Sequence, residues 1–412
     1  MEEVLDRCCG LDVHKKTVAA CLRVPGPDGN PREVVRTFGT TTHELLVLHD
    51  WLRANGATHV AMESTGVYWK PIYYVLEDSF TVWLVNAAHL KRVPGRKTDV
   101  SDCRWIAQLL AHGLLRASFV PPREIRELRD LTRYRKTLIQ ERTREANRVH
   151  KVLEDANIKL ASVATDILGV SGRAMLEALL HGTTDAEVLA ELAKGRLRQK
   201  LPALRQALTG RFRDHHGFLV GQLLAHLDYL DEAIGQLSER IAEVLRPFEG
   251  QLKQLMTIPT VKRRTAEVIL AEVGTDMTRF PTAAHLTSWA GLCPGNNESA
   301  GKHRSGKTRK GSKWLRSALI EIGQVAGRIP DTAIGARYRR LQRRRGKKKA
   351  VVAVGRHILE VSFHLLSTGR TYHELGPDYF VRARADQVRR RSVRILERLG
   401  YQVTLTPLPA AA

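Results

Sequence analysis

A chain of 412 residues has room for about two to three domains of ordinary size. Its 66 Lys and Arg against 43 Asp and Glu leave a formal charge of +23, which excludes a typical metabolic enzyme of near-neutral charge and points to a polyanion, nucleic acid ahead of an anionic membrane. With 43% hydrophobic residues it can build real cores, so a disordered tail is excluded too. No apolar run approaches the ~18 residues of a spanning helix, and the acidic start MEEVLDRCC has no apolar signal core. Five cysteines (8, 9, 21, 103, 293) form no CxxC pair and no even framework, which fits a reducing cytoplasm without a cysteine zinc site.

The first 120 residues read as α/β. CCGLDV (8–13) and TVAACLRV (17–24) are short β-branched, apolar runs split by a polar HKK turn. The turn formers of PGPDGNP (25–31) lead into a third strand, VVRTFGT (34–40), so a meander is predicted. Thr41 to Glu44 has the Thr-x-x-Glu capping pattern, and the helix it opens closes at Gly56. HVAMES (59–64) is a fourth strand, GVYWKPIYYVLED a helix, TVWLVNA (81–87) a fifth strand, and DVSDCRWIAQLLAHG (99–113) an amphipathic helix. The order βββαβαβα is that of an α/β ribonuclease-H-like fold.

From Glu124 to about Arg246 apolar residues recur every three or four positions among many charges. FLVGQLLAHLDYLDEAIGQLSERIAEVL (218–245) keeps an apolar seam for about four heptads, enough for a coiled-coil arm. Such a seam serves self-association or packing within one chain equally well. From Leu252 a mainly α-helical piece begins, rich in Gly and basic residues. RYRRLQRRRGKKK (337–349) holds nine Arg and Lys, and a helix (350–368) and a basic tail with RRRSVR (389–394) follow. The predicted division is 1–123, 124–250, 251–346 and a basic extension, 347–412.

Four acids fall at telling places. Asp12 ends the first strand, Glu63 ends the fourth, and Asp99 and Asp102 share one face of the helix after the fifth. Strand ends at the carboxyl edge of a sheet are where sites gather. Converging carboxylates repel unless cations hold them. Two Mg²⁺ ions bound through carboxylates, water and phosphate oxygens are the natural solution, and they suit phosphoryl transfer. Lys97 could hold a phosphate. Each acid also has an ordinary use: Asp12 in a turn, Asp99 as a cap, Asp102 as a first-turn acid.

A second signal is AGLCPGNNESAGKHRSGKTRKGSKWLR (290–316). Lys302, Arg304, Lys307, Arg309, Lys310, Lys313 and Arg316 alternate there with small residues and glycines, a pattern suited to phosphate binding. Ser299 lies in its middle and could attack a phosphodiester, although a basic clamping loop with an incidental serine fits the residues too, and Ser305 is a competitor. Upstream, LMTIPTVKRRTAEVILAEVG (255–274) resembles half of a helix-hairpin-helix, but Thr260 and Lys262 stand where glycines usually sit. His215 and His216 lack metal-ligand spacing with other ligands. His14 suits either the edge of the acidic site or a surface turn, and Tyr68 and Trp69 suit core packing.

GLDVHK, AMESTGVYW and KTDVSDC, then a helical middle, then IPTV, TAEVILAEVG and AGLCPGNNESAGKHRSGKTRKG, occur here in one set order. Together they resemble the insertion-sequence transposases of the family numbered 110, in the subgroup that includes the family numbered 1111, with Piv-type DNA invertases as relatives. The resemblance covers roughly residues 8–160 and 250–330. It implies an N-terminal domain similar to the resolvase RuvC with a DEDD quartet, matched by Asp12, Glu63, Asp99 and Asp102, and a transposase domain whose nucleophilic serine is matched by Ser299. It further implies Mg²⁺, double-stranded donor and target DNA, a structured non-coding guide RNA (the bridge RNA), and a homo-oligomer, dimer to tetramer, with composite active sites. The implied setting is the cytoplasm of a bacterium or archaeon, at the nucleoid and not at a membrane. Competing readings are a ribonuclease-H-like nuclease or junction resolvase acting by hydrolysis, and a non-catalytic nucleic-acid scaffold.

Overall fold

In a computed structural model that describes residues 4–27, 30–64, 66–90, 102–295, 297–383 and 385–406, the predicted meander is present. It consists of β1 (Cys8–Val13), β2 (Thr17–Pro25) and β3 (Pro31–Gly39), each antiparallel to the next. His14 N–H donates to Thr17 O at 2.9 Å and closes the first turn. β3 starts earlier than expected because Pro31 and Arg32 pair with Pro25 and Val24, and a proline is tolerated at the first position of an edge strand.

α1 (Thr42–Ala54) leads to β4 (His59–Glu63), and α2 (Trp69–Leu76) leads to β5 (Thr81–Val85). Thr41 caps α1 by accepting from the Glu44 N–H, as its pattern predicts, while the Glu44 carboxylate reaches back to the Gly39 N–H at 3.3 Å. β4 and β5 run parallel to β1, giving one mixed sheet in the order β3-β2-β1-β4-β5. One face packs Cys9, Leu11, Val13, Val60 and Met62 beneath α1 and α2. After the short α3 (Ala87–Leu90), the other face is covered by α4 (Asp102–Ala111), which buries Trp105, Ile106, Leu109 and Leu110 against Cys8, Ala61 and Val85. Cys8, Cys9, Cys21 and Cys103 are buried thiols, and burial pushes Cys21 up to about 12.

The seat of α4 on the sheet depends on Gly10. A Cβ there would lie 2.3 Å from Ala107 N and from Cys103 O, both backbone atoms of α4. Gly10→Ala is therefore expected to destabilise the chain by about 3 kcal/mol, the upper end of overpacking, because a whole helix must move. A urea midpoint lowered at unchanged slope checks it, and a loss below about 0.5 kcal/mol would show that α4 does not seat there.

Residues 1–120 and 121–412 form two compact units. The second is mostly helical. α5 (Arg123–Asp155) is followed by α6 (Leu160–Val163), α7 (Val170–Leu180), α8 (Ala186–Glu191), α9 (Leu201–Leu208) and the long α10 (Asp214–Val244). α5 and α10 lie antiparallel, since Arg135 meets Ser238, Arg142 meets Asp231 and Asp155 meets His216. The apolar seam of α10 is spent in cis: Leu230 and Ile234 pack on Leu138, and Val220, Leu224 and Leu227 share a core with Val149, Leu153 and α6–α9.

α11 (Glu249–Met256), α12 (Arg263–Val273) and α13 (Ala283–Trp289) precede a hairpin, β6 (Asn297–Ser299) and β7 (Lys302–Ser305). α14 (Lys313–Ala326), α15 (Ala333–Arg345), α16 (Lys347–Thr368), α17 (Tyr379–Arg382) and α18 (Ala385–Arg398) complete the described chain. By length and composition α16 could cross a bilayer, which no single apolar run suggested. Its apolar side is used otherwise: Ala350, Val354, Ile358 and Leu359 are buried where α16 packs on α13, α14 and α15. RRRSVR, read as a tail, lies within α18.

Candidate active site: the acidic edge and the serine hairpin

Side chains alternate along a strand, so the two faces of β1 are distinct. Cys9, Leu11 and Val13 face α1 and α2, while Gly10 meets α4, which puts Asp12 on the α4 face. The same alternation in β4 sends Val60 and Met62 one way and Ala61 the other, so Glu63 shares Asp12's face. β1 and β4 are parallel neighbours with Leu11 beside Met62, so Asp12 and Glu63 sit side by side at the carboxyl edge. Asp102 is the first residue of α4, next to the Cys103 that rests on Gly10. Three of the four expected acids thus belong to one end of one face. Asp99 and Lys97 lie outside the described residues. His14 Nε2 is 3.2 Å from Asp12 Oδ2, on the exposed side of this edge. Grouped carboxylates are hard oxygen donors and fit a divalent cation such as Mg²⁺, not a thiophilic metal.

In the second unit the expected serine loop contains an ordered ribbon. Ser299 pairs with Lys302 across β6 and β7, and the two residues between them, Ala300 and Gly301, have φ of 49° and 74°. Positive φ at both positions is the mark of a tight two-residue hairpin turn. Ser299 is therefore the last strand residue before the tip; the side chains of Ser299 and Arg304 lie outside the described set. Ser305 has a turn role, its Oγ accepting from the Lys307 N–H at 3.1 Å.

Two of the loop glycines, Gly291 and Gly311, are required by a close approach of backbone to backbone. A Cβ at Gly311 would fall 2.4 Å from Ala290 C, and one at Gly291 would fall 2.7 Å from Arg309 O. The two ends of the loop cross backbone to backbone there. Arg316 tightens the crossing: its Nη1 donates to Gly291 O and, at 2.8 Å, to the Thr308 hydroxyl. Lys302, Lys307, Arg309, Lys310 and Lys313 are exposed, with Lys313 Nζ 4.8 Å from the Trp314 ring centroid.

Glu272 carried no signal in the sequence, yet it ties the loop to the helices. It is 1% exposed and accepts from Arg133 Nε and Nη2 at 2.7 and 2.8 Å. Ser312 Oγ donates to it at 2.8 Å while capping α14 through the Leu315 N–H. A buried carboxylate so fully bonded fixes where the loop ends.

Between α11 and α12, Ile258 O accepts from the Val261 N–H at 3.0 Å, closing a turn over Pro259 and Thr260. Thr260 has φ 81°, and its hydroxyl is buried with no partner among the described residues. This is the type II position that glycine normally fills, so the hairpin keeps its shape without one. Strain at a β-branched residue here costs about 1–3 kcal/mol, against about 0.5–1 kcal/mol for the added entropy of glycine. Thr260→Gly is expected to stabilise the protein by about 1 kcal/mol, a rise in melting temperature of roughly 2 °C. A fall in melting temperature would contradict that reading of the turn.

One expectation needs correction. His215 and His216 do find a third potential ligand, because the antiparallel helices bring Asp155 to them, with ligand atoms within 4.8 Å. His216 is buried; its Nδ1 accepts from the Arg213 N–H at 3.0 Å, and its Nε2 lies 2.9 Å from Asp155 Oδ2. Nε2 must then carry the proton, which also holds the Asp155 carboxyl below its ordinary range. A metal on Nε2 would need the lone pair that this proton occupies, so the trio works as a clamp between α5 and α10.

Residues 9–158 match the family model for the IS110 DEDD transposase, described as a transposase. Residues 252–339 match the model described as transposase, IS116/IS110/IS902 family. The chain is 30% identical over 307 residues to the Streptomyces coelicolor protein named insertion element IS110 uncharacterized 43.6 kDa protein, covering 69% of this chain and 74% of the relative. It is 24% identical over 378 residues to the pilin gene-inverting protein of Moraxella bovis, covering 88% and 96%. Over 270 residues it is 23% identical to the transposase for insertion sequence element IS1328 of Yersinia enterocolitica, covering 65% and 70%. One matched stretch holds the acidic edge and the other the serine hairpin, in the order the motifs follow, so the chain belongs to the IS110 family of insertion-sequence transposases.

Proposed function

We propose that this transposase exchanges DNA strands through a serine–phosphate intermediate, with Asp12, Glu63, Asp99 and Asp102 as a Mg²⁺-binding quartet and Ser299 as nucleophile. The observation that carries the reading is the gathering of Asp12, Glu63 and Asp102 at one edge, in a chain with a serine beside a hairpin tip. The sheet order β3-β2-β1-β4-β5 supports a ribonuclease-H-like description of the first unit. Bound Mg²⁺ would supply charge stabilisation to the attacking and leaving oxygens of the phosphoryl group.

Ser299 Oγ forms a bond to phosphorus and loses its proton; the P–O3′ bond breaks, and the 3′-oxygen leaves as a hydroxyl. A 5′-phosphoserine link remains. The 3′-hydroxyl of the partner strand then attacks that phosphorus and releases the serine, so no phosphoester is lost and no ATP is needed. The exposed Lys302, Lys307, Arg309, Lys310 and Lys313, with Lys97 and Arg304, hold the backbone phosphates. Arg316 serves by keeping the loop closed. The acidic part extends to about residue 123, the helical middle to about 250, and the serine-bearing part begins near 251. A structured guide RNA selects donor and target duplexes. In a dimer or tetramer an acidic unit of one copy completes the serine site of another, in the bacterial or archaeal cytoplasm.

The test is incubation of the full chain with labelled duplex carrying the element's ends and Mg²⁺, followed by denaturing electrophoresis. A covalent protein–DNA adduct is expected. Cleavage without an adduct would favour hydrolysis by the acids alone. Sequencing RNA that co-purifies with the chain, expressed beside its flanking DNA, tests the guide. A discrete transcript from the element's end is expected, and random cellular RNA would count against guidance.

A further inference from the structure

The stretch after residue 336 carries the densest charge in the chain and has no part in the chemistry above. Its first helices form a cavity of about 210 Å³, lined by Arg337, Arg340, Leu341 and Arg344 of α15 and by Phe380 of α17. At roughly 30 Å³ per water, that volume holds a phosphodiester with room to spare. The Arg340 guanidinium lies 5.4 Å from the Phe380 ring centroid, an arrangement that stiffens it. Behind the cavity Arg337 is half-buried beside Arg356 and His357 of α16. Glu360, the acid these groups share, is bonded by Arg356 at 2.8 Å and approached by His357 at 3.7 Å.

Among the described residues the cluster is short of negative charge, with Glu360 set against Arg337, Arg340 and Arg356. Burial lowers Arg337 first, and Arg340 and Arg356 lower it further. His357 is pushed down to about 4, by burial and then by Arg337, with Glu360 opposing. Half-buried cations without matching anions are costly, and guanidinium forks match phosphate oxygens.

A second groove of about 890 Å³ continues from α17, with Arg382 at its start and Arg390, Arg391, Arg394 and Arg398 of α18 along it. Its one acid among the described residues, Asp386, is already held by Arg389 at 2.7 Å. A single phosphate would use only the first cavity. Two cationic grooves joined by one short helix suit a row of phosphates.

We propose that Arg337, Arg340 and Arg344, closed by Phe380, seat one backbone phosphate of duplex DNA, and that the α18 arginines take phosphates beyond it. Duplex DNA is the occupant because DNA is the polyanion on which this family acts. The inference rests on that part of the function alone and does not need the serine chemistry.

The test uses the full chain, wild type and Arg340→Gln/Arg344→Gln, both exposed positions. A second pair, Arg390→Gln/Arg394→Gln, probes the groove. Affinity for a random-sequence duplex of about 30 bp is measured by fluorescence anisotropy between about 50 and 200 mM salt. Each pair is expected to weaken binding about tenfold and to flatten the slope of log affinity against log salt by about 2, near 0.9 per lost contact. Arg123→Gln/Arg240→Gln removes the same charge from exposed ion pairs elsewhere and is expected to change affinity less than twofold. Affinity and slope equal to that control would overturn the proposal. Weakened binding of structured RNA with duplex binding intact would overturn the choice of DNA. An adduct formed by wild type while these variants bind DNA normally sinks only this inference; a flattened slope without any adduct sinks only the serine mechanism.

Discussion

Ser299→Ala is expected to eliminate the covalent protein–DNA adduct and to lower strand exchange by about 10⁴-fold or more, the usual scale for removing a nucleophile that acts as part of a unit. The substitution deletes one oxygen from the residue before the hairpin turn and leaves the β6–β7 pairing intact, so the fold should not change. What persists is informative. With the acids in place, slow hydrolysis of the same phosphodiester by water would appear as nicks without adduct. Ser299→Cys retains a nucleophile and is expected to trap a weak adduct. Ser305→Ala loses only the bond to the Lys307 N–H and should exchange strands normally. Full adduct formation by the alanine variant would move the chemistry to another residue.

Asp12→Asn is the second large effect. It keeps the size of the side chain and its hydrogen bond to His14 while removing one charge from the acidic edge. Cleavage is expected to fall by about 10³-fold or more, as a metal-dependent phosphoryl transfer loses its cation. Stability should move the other way. Without divalent metal the variant is expected to melt slightly higher than wild type, because like charges no longer converge. A ligand that binds only the folded chain at 100 times its dissociation constant adds about 2.7 kcal/mol. Wild type should therefore gain melting temperature on titration with Mg²⁺ or Mn²⁺, and the variant should gain much less. Equal gains in both proteins would remove Asp12 from the metal site whatever the activity shows.

Much of the first unit was legible because short-range rules act there without competition. Strand alternation, the turn at His14 and the Thr41 cap each depend on neighbouring residues, and each falls where those residues place it. The helix over Asp102 was legible as well, but not the reason it sits where it does, which is the absence of a side chain at Gly10. In the serine loop glycine had two uses, and composition does not separate approach to a ligand from the crossing of two backbones. At Thr260 the preference of the residue suggested an altered hairpin, while Pro259 and the surrounding helices hold the glycine-like conformation regardless. The long-range ties were invisible. Glu272 meets Arg133 and Ser312, and Asp155 meets His216, only because helices distant in sequence lie side by side, which no local pattern encodes.

The same separation governs the order in which the molecule can be made. Arg135 of α5 waits 103 residues for Ser238 and 132 residues for Glu267. At about 5–20 residues per second of synthesis, α5 leaves the ribosome roughly 5–25 s before these partners. The N-terminal sheet, whose five strands pair with one another within residues 8–85, can be complete by then. The nascent chain thus carries a finished first unit followed by a bare, highly charged helix, and its buried arginines are a liability to be shielded until translation nears its end.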